Sequence, residues 1–310
     1  MVKIKNTECL VIGDLNIDLI FRKLNRFPEL GDEVIAKDHK MTVGGSGAIF
    51  ACILSNLGIK TSIISKIGND QLGKYLIGKM KLNGVDTSRV IIANEEETGI
   101  TVNLSFQKDK SQISSINLIK SLEFEDLKMD GLNDLKHVHF SSYFLMEGLK
   151  SKYIEIIKML KNLNGGITFS LDTNDDPSNE WDEEIYNILK SIDILLLNKK
   201  EALKISREKN ISKAIEKLGS FAGTVVIKLG RDGGVARKNN IDYRGYCKNT
   251  DNLNFKDSTG AGDNFDAGFI YGFLKKYDIN KSLELAMMYG EKSIKFTGGV
   301  PDDKGYKFEQ

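Results

Sequence analysis

A chain of 310 residues with 44 basic and 43 acidic side chains carries a formal charge of +1, which excludes the basic surface that a nucleic-acid backbone selects. With 41% hydrophobic and 28% charged residues, it can build a large core without disulfide or metal staples, and intrinsic disorder is excluded. Only three prolines are present, so no Pro-rich linker marks a domain boundary, and glycine (29 residues) is the remaining punctuation.

The first expected strand, Leu10–Ile12, runs directly into Gly13-Asp14-Leu15-Asn16-Ile17-Asp18. Asn16 and Asp18 therefore stand at a strand's carboxyl end, where open α/β sheets hold their ligands. Without further context, a lone aspartate there is more often a turn or surface residue. Residues 14–43 and 97–116 contain short alternating runs, Ile17-Asp18-Leu19-Ile20 and Thr101-Val102-Asn103-Leu104. Alternation means one wet and one dry face, which predicts a small antiparallel sheet, inserted as a lid into a single domain spanning 1–310. Gly44-Gly45-Ser46-Gly47-Ala48 leads into a helix ending near Gly58. Taken alone, that cluster reads as a close strand–helix crossing.

Further strands are expected at Ser62–Ile67, Val138–Ser141, Ile167–Leu171, Ile194–Leu197 and Val225–Leu229. They are apolar at nearly every position, as strands buried on both faces are. Amphipathic helices are expected at Asp70–Asn83, Lys152–Leu163, Glu183–Lys190, Ile211–Leu218 and Phe265–Lys276. This alternation implies an α/β protein with a mainly parallel sheet covered on both sides. Gly68 to Lys74 nearly spells a P-loop, but Tyr75 stands where a hydroxyl should hold Mg²⁺. His137 and His139 share a strand face, with no third metal ligand nearby in sequence. Three distant cysteines, no apolar span and no signal-peptide pattern predict a reduced, cytoplasmic protein with no membrane contact.

The richest glycine cluster is Asp257-Ser258-Thr259-Gly260-Ala261-Gly262-Asp263, running into a helix expected to start near Asn264. Small residues let backbone N–H groups approach a ligand, and a helix N-terminus favours an anion. A carboxylate placed there could take a proton from a hydroxyl while those N–H groups hold a phosphoryl group. The competing reading makes Asp263 a cap on its own helix.

Asp257 to Phe269 resembles the C-terminal signature of the ribokinase-like (PfkB) carbohydrate kinases, and the resemblance extends over nearly the whole chain. Gly44–Ala48 followed by Ala51 fits the family's N-terminal Gly-Gly signature, and Lys66–Gly73 with Asn83–Thr87 its next βα unit. Leu171-Asp172-Thr173-Asn174, Leu197-Asn198-Lys199-Lys200-Glu201 and Lys228-Leu229-Gly230 with Gly233-Gly234 are similar to its later motifs. The resemblance implies a ribokinase-like three-layer sandwich with an inserted β lid, acting as an ATP- and Mg²⁺-dependent kinase. Asp263 would be the general base, with Gly260, Ala261 and Gly262 forming the anion hole. Asp18, Asn16, Gly44 and Gly45 would hold the acceptor; Asn174, Asn198, Lys228, Gly230 and Gly233 would line the ATP site. Glu201 and Asn198 would organise Mg²⁺ through water, and Asp257 resembles part of a site for a monovalent cation such as K⁺. The lid would exclude water, and in much of the family it forms a homodimer contact.

Two departures bear on the acceptor. Ile49 stands where the signature usually carries Asn, and Ser46 where ribokinases carry Lys. The expected reaction is phosphorylation of a primary hydroxyl of a sugar or sugar derivative. The alternative is a nucleoside kinase, favoured by the apolar Ile49-Phe50 pair. A catalytically silent binding protein is disfavoured by the intact base, anion loop and Asn-x-x-Glu motif.

Overall fold

The computed structural model describes residues 6–106, 110–247 and 255–302. Strand β1 (Cys9–Ile12) is wholly buried and followed by β2 (Asn16–Arg22) and β3 (Asp38–Gly44). Helix α1 (Ser46–Asn56), β4 (Thr61–Ile64), β5 (Lys66–Gly68) and α2 (Gln71–Leu82) come next. Short β6 (Ile91–Ala93) precedes β7 (Ile100–Ser105), β8 (Lys110–Ser115) and the single turn α3 (Asn117–Lys120). Then follow β9 (His137–Phe140), α4 (Tyr153–Leu163), β10 (Thr168–Asp172), α5 (Ile185–Leu189) and β11 (Ile194–Asn198). The last third holds α6 (Lys199–Ser206), α7 (Ile211–Gly219), β12 (Thr224–Lys228), β13 (Gly234–Lys238), β14 (Ile241–Gly245), α8 (Ala261–Leu274) and α9 (Ile279–Ser293).

Eight strands form one sheet in the order β4-β1-β9-β10-β11-β12-β13-β14. Pairing is parallel from β4 to β12 and antiparallel through β13 and β14. Successive residues of a strand face opposite sides. Leu10 and Ile12 accordingly enter one core with Tyr153 and Leu160 of α4, while Cys9 and Val11 enter the other with α1 and α8. The result is the expected helix–sheet–helix sandwich. From β1 the chain moves outward to β4, then returns to place β9 on β1's other side, so the strand order reverses between β1 and β9. Their carboxyl ends, at Ile12 and Phe140, open the crevice where such sheets bind ligands.

A separate four-stranded sheet has the order β3-β2-β7-β8. It coincides with the two alternating stretches, but it is mixed rather than antiparallel. The central pair β2–β7 is parallel because a βα unit intervenes, and only its two hairpins run antiparallel. The expected Ser62–Ile67 strand is also divided. After Ser65 the chain leaves the large sheet's edge, and Lys66–Gly68 pairs with β6. Among the described residues no helix is long and apolar enough to cross a membrane.

Candidate active site

The crevice holds a cavity of about 760 Å³, walled by Asp14, Asn16, Asp18, Gly45 and Asp263 among others. Asp14, directly after β1, is buried and accepts hydrogen bonds from Ser46 N (3.0 Å), Gly47 N (2.9 Å) and Ser142 Oγ (2.8 Å). It acts as a remote cap, because α1 is preceded by Gly45, which has no side chain to satisfy the first-turn N–H groups. Gly45 sits at φ +91°, and a Cβ there would meet Asp14 O at 2.7 Å and Asn16 Oδ1 at 2.8 Å. Asn16 Nδ2 donates to Thr101 Oγ1 (3.0 Å), which pairs with Ser114 Oγ (3.0 Å), tying the cavity to the small sheet. A Cβ on Gly44 would strike the Asp18 carboxylate, and Gly47 crosses close to Gly13.

Helix α8 begins at Ala261 after Gly260, which adopts φ +75° and could not carry a Cβ without striking Gly299 Cα. Asn264 Nδ2 donates to the carbonyls of Gly260 and Gly299, both at 2.8 Å, and fixes this turn. Asp263 lies in the first helical turn, makes no capping bond and faces the cavity. Burial, with Asp172's charge added, pushes its carboxyl up to about 7, while the Ser46 side chain, hydrogen-bonded to it, works the other way. Thr259, Gly260 and Asp263 wall the first cavity, whereas Ser258, Ala261 and Gly262 wall a second of about 350 Å³. The first turn of α8 is therefore a partition between two cavities.

Lys228, Gly230 and Gly233 line the second cavity, whose far wall is the apolar set Phe255, Met287 and Ile294. Gly230 and Gly233 turn at φ +63° and +90°. Lys228 Nζ lies 2.8 Å from Asp172 Oδ2 and 2.7 Å from Asp266 Oδ2, the two carboxylates buried and the lysine side chain 12% exposed. Burial alone would raise Asp172, but the Lys228 charge and hydrogen bonds from Asp266 and Lys228 outweigh it and hold Asp172 near 2. Burial raises Asp266 well above the usual carboxylate range; the Lys228 charge works the other way and Asp172's charge adds to the rise. Lys228 stays charged because the neighbouring carboxylates overcome its own desolvation.

A polar cavity and a partly apolar one meet at an N–H-rich helix start beside a half-buried carboxylate. Residues 6–302 match the family model described as "pfkB family carbohydrate kinase". The chain belongs to that family. It is 26% identical to an ATP-dependent 6-phosphofructokinase of Thermoanaerobacterium thermosaccharolyticum over 96% of this chain and 91% of that one. It is 27% identical to a 5-dehydro-2-deoxygluconokinase of Geobacillus thermodenitrificans, covering 90% and 85% of the two chains. Its fold matches that of Arabidopsis thaliana ribokinase, a structure with ribose and ATP, at a TM-score of 0.80 and 23% identity over 96% of both chains. The protein is an ATP-dependent carbohydrate kinase.

Most of the residues read from the kinase's sequence converge on these two cavities, but Gly44, Asn198, Glu201 and Asp257 line neither. Asn174, expected at ATP, lines the first cavity, where a left-handed turn at φ +57° after β10 aims its amide at Ser142 Oγ (3.4 Å). Ile49 walls the first cavity, whereas Phe50 is turned into the core and stacks on His139 at 3.8 Å, so of the apolar pair only Ile49 reaches it. His137 and His139 are buried and bond to Ser170 (2.8 Å each), and burial drops both to about 3, so they are neutral core residues. Helix α8 starts three residues before the expected Asn264.

Asn198 and Glu201 form a reciprocal cap on α6: Glu201 N donates to Asn198 Oδ1 (2.9 Å) and Asn198 N to Glu201 Oε2 (2.7 Å). Burial and Asp172's charge push Glu201 up to about 7, a cost of negative charge that a cation would relieve. Among the described residues no cluster of three or more metal-binding side chains could hold an ion unaided. The set therefore fits Mg²⁺ held through water and nucleotide phosphates, as that ion prefers. Asp257 accepts from Thr259 N (3.1 Å), Thr259 Oγ1 (2.9 Å) and Gly298 N (2.8 Å), stapling the loop before α8. Sequence reasoning missed the roles of Asp14, Ser142, Asp172 and Asp266, which arise from contacts spanning 32 to 128 residues.

Proposed function

We propose that the kinase transfers the γ-phosphoryl group of ATP to a primary hydroxyl of a sugar or sugar derivative, with Asp263 as the base. The observation carrying this reading is the partition: α8's first turn offers Ala261 and Gly262 to one cavity and Asp263 to the other. The acceptor binds against Asn16, Asp18, Gly44 and Gly45, and the nucleotide against Lys228, Gly230 and Gly233. In the transfer, the acceptor oxygen bonds to the γ-phosphorus, the bond to the ADP oxygen breaks, and the hydroxyl proton passes to Asp263. A base with a pKa near 7 is well matched to that task near neutral pH. The N–H groups of residues 260–262 and the dipole of α8 receive the negative charge that develops on the phosphoryl oxygens. Mg²⁺, organised through water by Asn198 and Glu201, would neutralise the phosphate charge.

The small sheet acts as a lid that keeps water from the phosphoryl group. Exposed apolar side chains on it, Met41 and Ile113, and on its β2–β3 connection, Leu30 and Ile35, support a homodimer formed through it. The buried free thiols Cys9 and Cys52 support a reducing, cytoplasmic setting. A monovalent cation beside Asp257 belongs to the same proposal and predicts K⁺-stimulated turnover. The central test is Asp263→Asn. Acceptor-dependent ATP turnover should fall by about two orders of magnitude or more while ATP binding by calorimetry persists. Near-normal turnover would remove Asp263 from the reaction.

A further inference from the structure

Resting on that kinase reading, we infer that the Arg231 guanidinium, rather than the Lys228 ammonium, is the cation that holds the phosphates of the nucleotide. Lys228, Arg231 and Glu291 are the charged residues among the described lining of the second cavity. Lys228 stands close to the start of α8, since a Cβ on Gly262 would lie 3.6 Å from its Nζ. An ammonium group has three N–H donors, however, and Asp172 and Asp266 take two of them at 2.8 and 2.7 Å. Its position and most of its hydrogen-bonding capacity are committed within the fold. Arg231 is in the opposite state. It is exposed and lines the same cavity, yet it makes no hydrogen bond or ion pair with a described residue, Asp232 and Glu291 included.

The backbone around Arg231 is fixed. Gly230 and Gly233, at φ +63° and +90°, bracket it, and Leu229 N donates to Gly233 O (2.9 Å) and Gly233 N to Gly230 O (3.1 Å). A Cβ on Gly230 would meet nothing within 4 Å, so the turn borders open space where a ligand has room. The same cavity is walled by Ala261 and Gly262, at the N–H-rich start of α8. A polyphosphate fits that combination: the helix start receives its terminal group, and a guanidinium fork grips two oxygens further along. The remaining wall does not compete for that role. Phe255, Met287 and Ile294 are apolar, and Glu291, as a carboxylate, accepts hydrogen bonds instead of donating them to phosphate.

Calorimetric binding of ATP with Mg²⁺, in the absence of any acceptor, tests this on the full chain. Arg231→Gln should weaken ATP binding by about tenfold or more. Arg231→Lys should recover the larger part, because lysine keeps the charge and loses only the fork. Raising NaCl from about 50 to about 500 mM should weaken ATP binding less in Arg231→Gln than in the wild type. Three results overturn the inference while leaving the kinase reading intact: an Arg231→Gln affinity within about threefold of wild type, a lysine variant as weak as the glutamine one, or an unchanged salt dependence. If the wild-type chain binds no ATP, the kinase reading falls and this inference falls with it.

Discussion

Asp14 and Gly47 are joined by a hydrogen bond of 2.9 Å from the Gly47 N–H to the aspartate's Oδ1, although 33 residues separate them. The bond ties the first turn of α1 to the end of β1, and Ser142 adds the end of β9 to the same carboxylate. One buried side chain thereby fixes three elements at the point where the strand order reverses. Asp14→Ala should cost roughly 1–3 kcal/mol, combining a lost cap with a desolvated hydroxyl left unpaired. Urea unfolding would measure it, and a loss under ~0.5 kcal/mol would show that water replaces the carboxylate.

The Lys228 cluster predicts a non-additive pair of substitutions. Lys228→Met leaves Asp172 beside Asp266 without a cation in a buried setting, and removing one partner of such a network costs about 3–5 kcal/mol. Adding Asp172→Asn should recover a substantial part of that loss. A double-mutant cycle in chemical denaturation checks this, and simple additivity would contradict the arrangement.

Asp263 carries a penalty on stability that depends on pH. Its pKa is about 7 in the folded chain, against roughly 3.9 when unfolded, so the folded state holds the proton more tightly. Below about pH 4 both states are protonated and nothing is lost. Stability then falls as pH rises and levels off above 7, by up to about 4 kcal/mol. Asp263→Asn should therefore raise stability at pH 8 by about 1–4 kcal/mol and change little at pH 4. Melting temperatures at the two pH values provide the measurement; an equal change at both would contradict a carboxylate that ionises between them.

The same titration sets the rate profile of the proposed reaction. A base must be unprotonated to act, so kcat/KM should rise through about pH 7 and plateau above it. A profile that is flat from pH 5.5 to 8.5 would place the titration elsewhere.

Gly45→Ala should act on one substrate only. Its φ of +91° and the crowding against Asp14 O and Asn16 Oδ1 would displace the acceptor wall. The acceptor KM should rise about tenfold or more, with the ATP KM within about twofold, because Gly45 does not line the nucleotide cavity. Steady-state kinetics with each substrate varied in turn would separate the two effects.

The three-layer architecture and both glycine loops were legible because they rest on local signals: continuous apolar runs, helical spacing and small residues before a helix. Long-range relationships were not. Asp172, Lys228 and Asp266 lie in three different motifs, and no spacing indicates that their side chains meet. Alternation in Ile17–Ile20 and Thr101–Leu104 marks a half-buried sheet but says nothing about strand direction, so the parallel β2–β7 pairing could not be read. The β13–β14 hairpin did carry a local signal that went unread. Asn239 and Asn240 both adopt positive φ, the turn that paired asparagines favour.

Residues 297–300 touch both halves of the kinase. Gly298 N reaches Asp257, Gly299 O receives Asn264, Ile49 packs against Gly299, and Thr297 O accepts from Lys40 of the small sheet at 2.9 Å. A single short strap therefore buttresses the loop before α8 from behind while anchoring the small sheet. On the proposed function, acceptor and nucleotide binding share this backing and are mechanically coupled. A change that reshapes one half must be accommodated by the other.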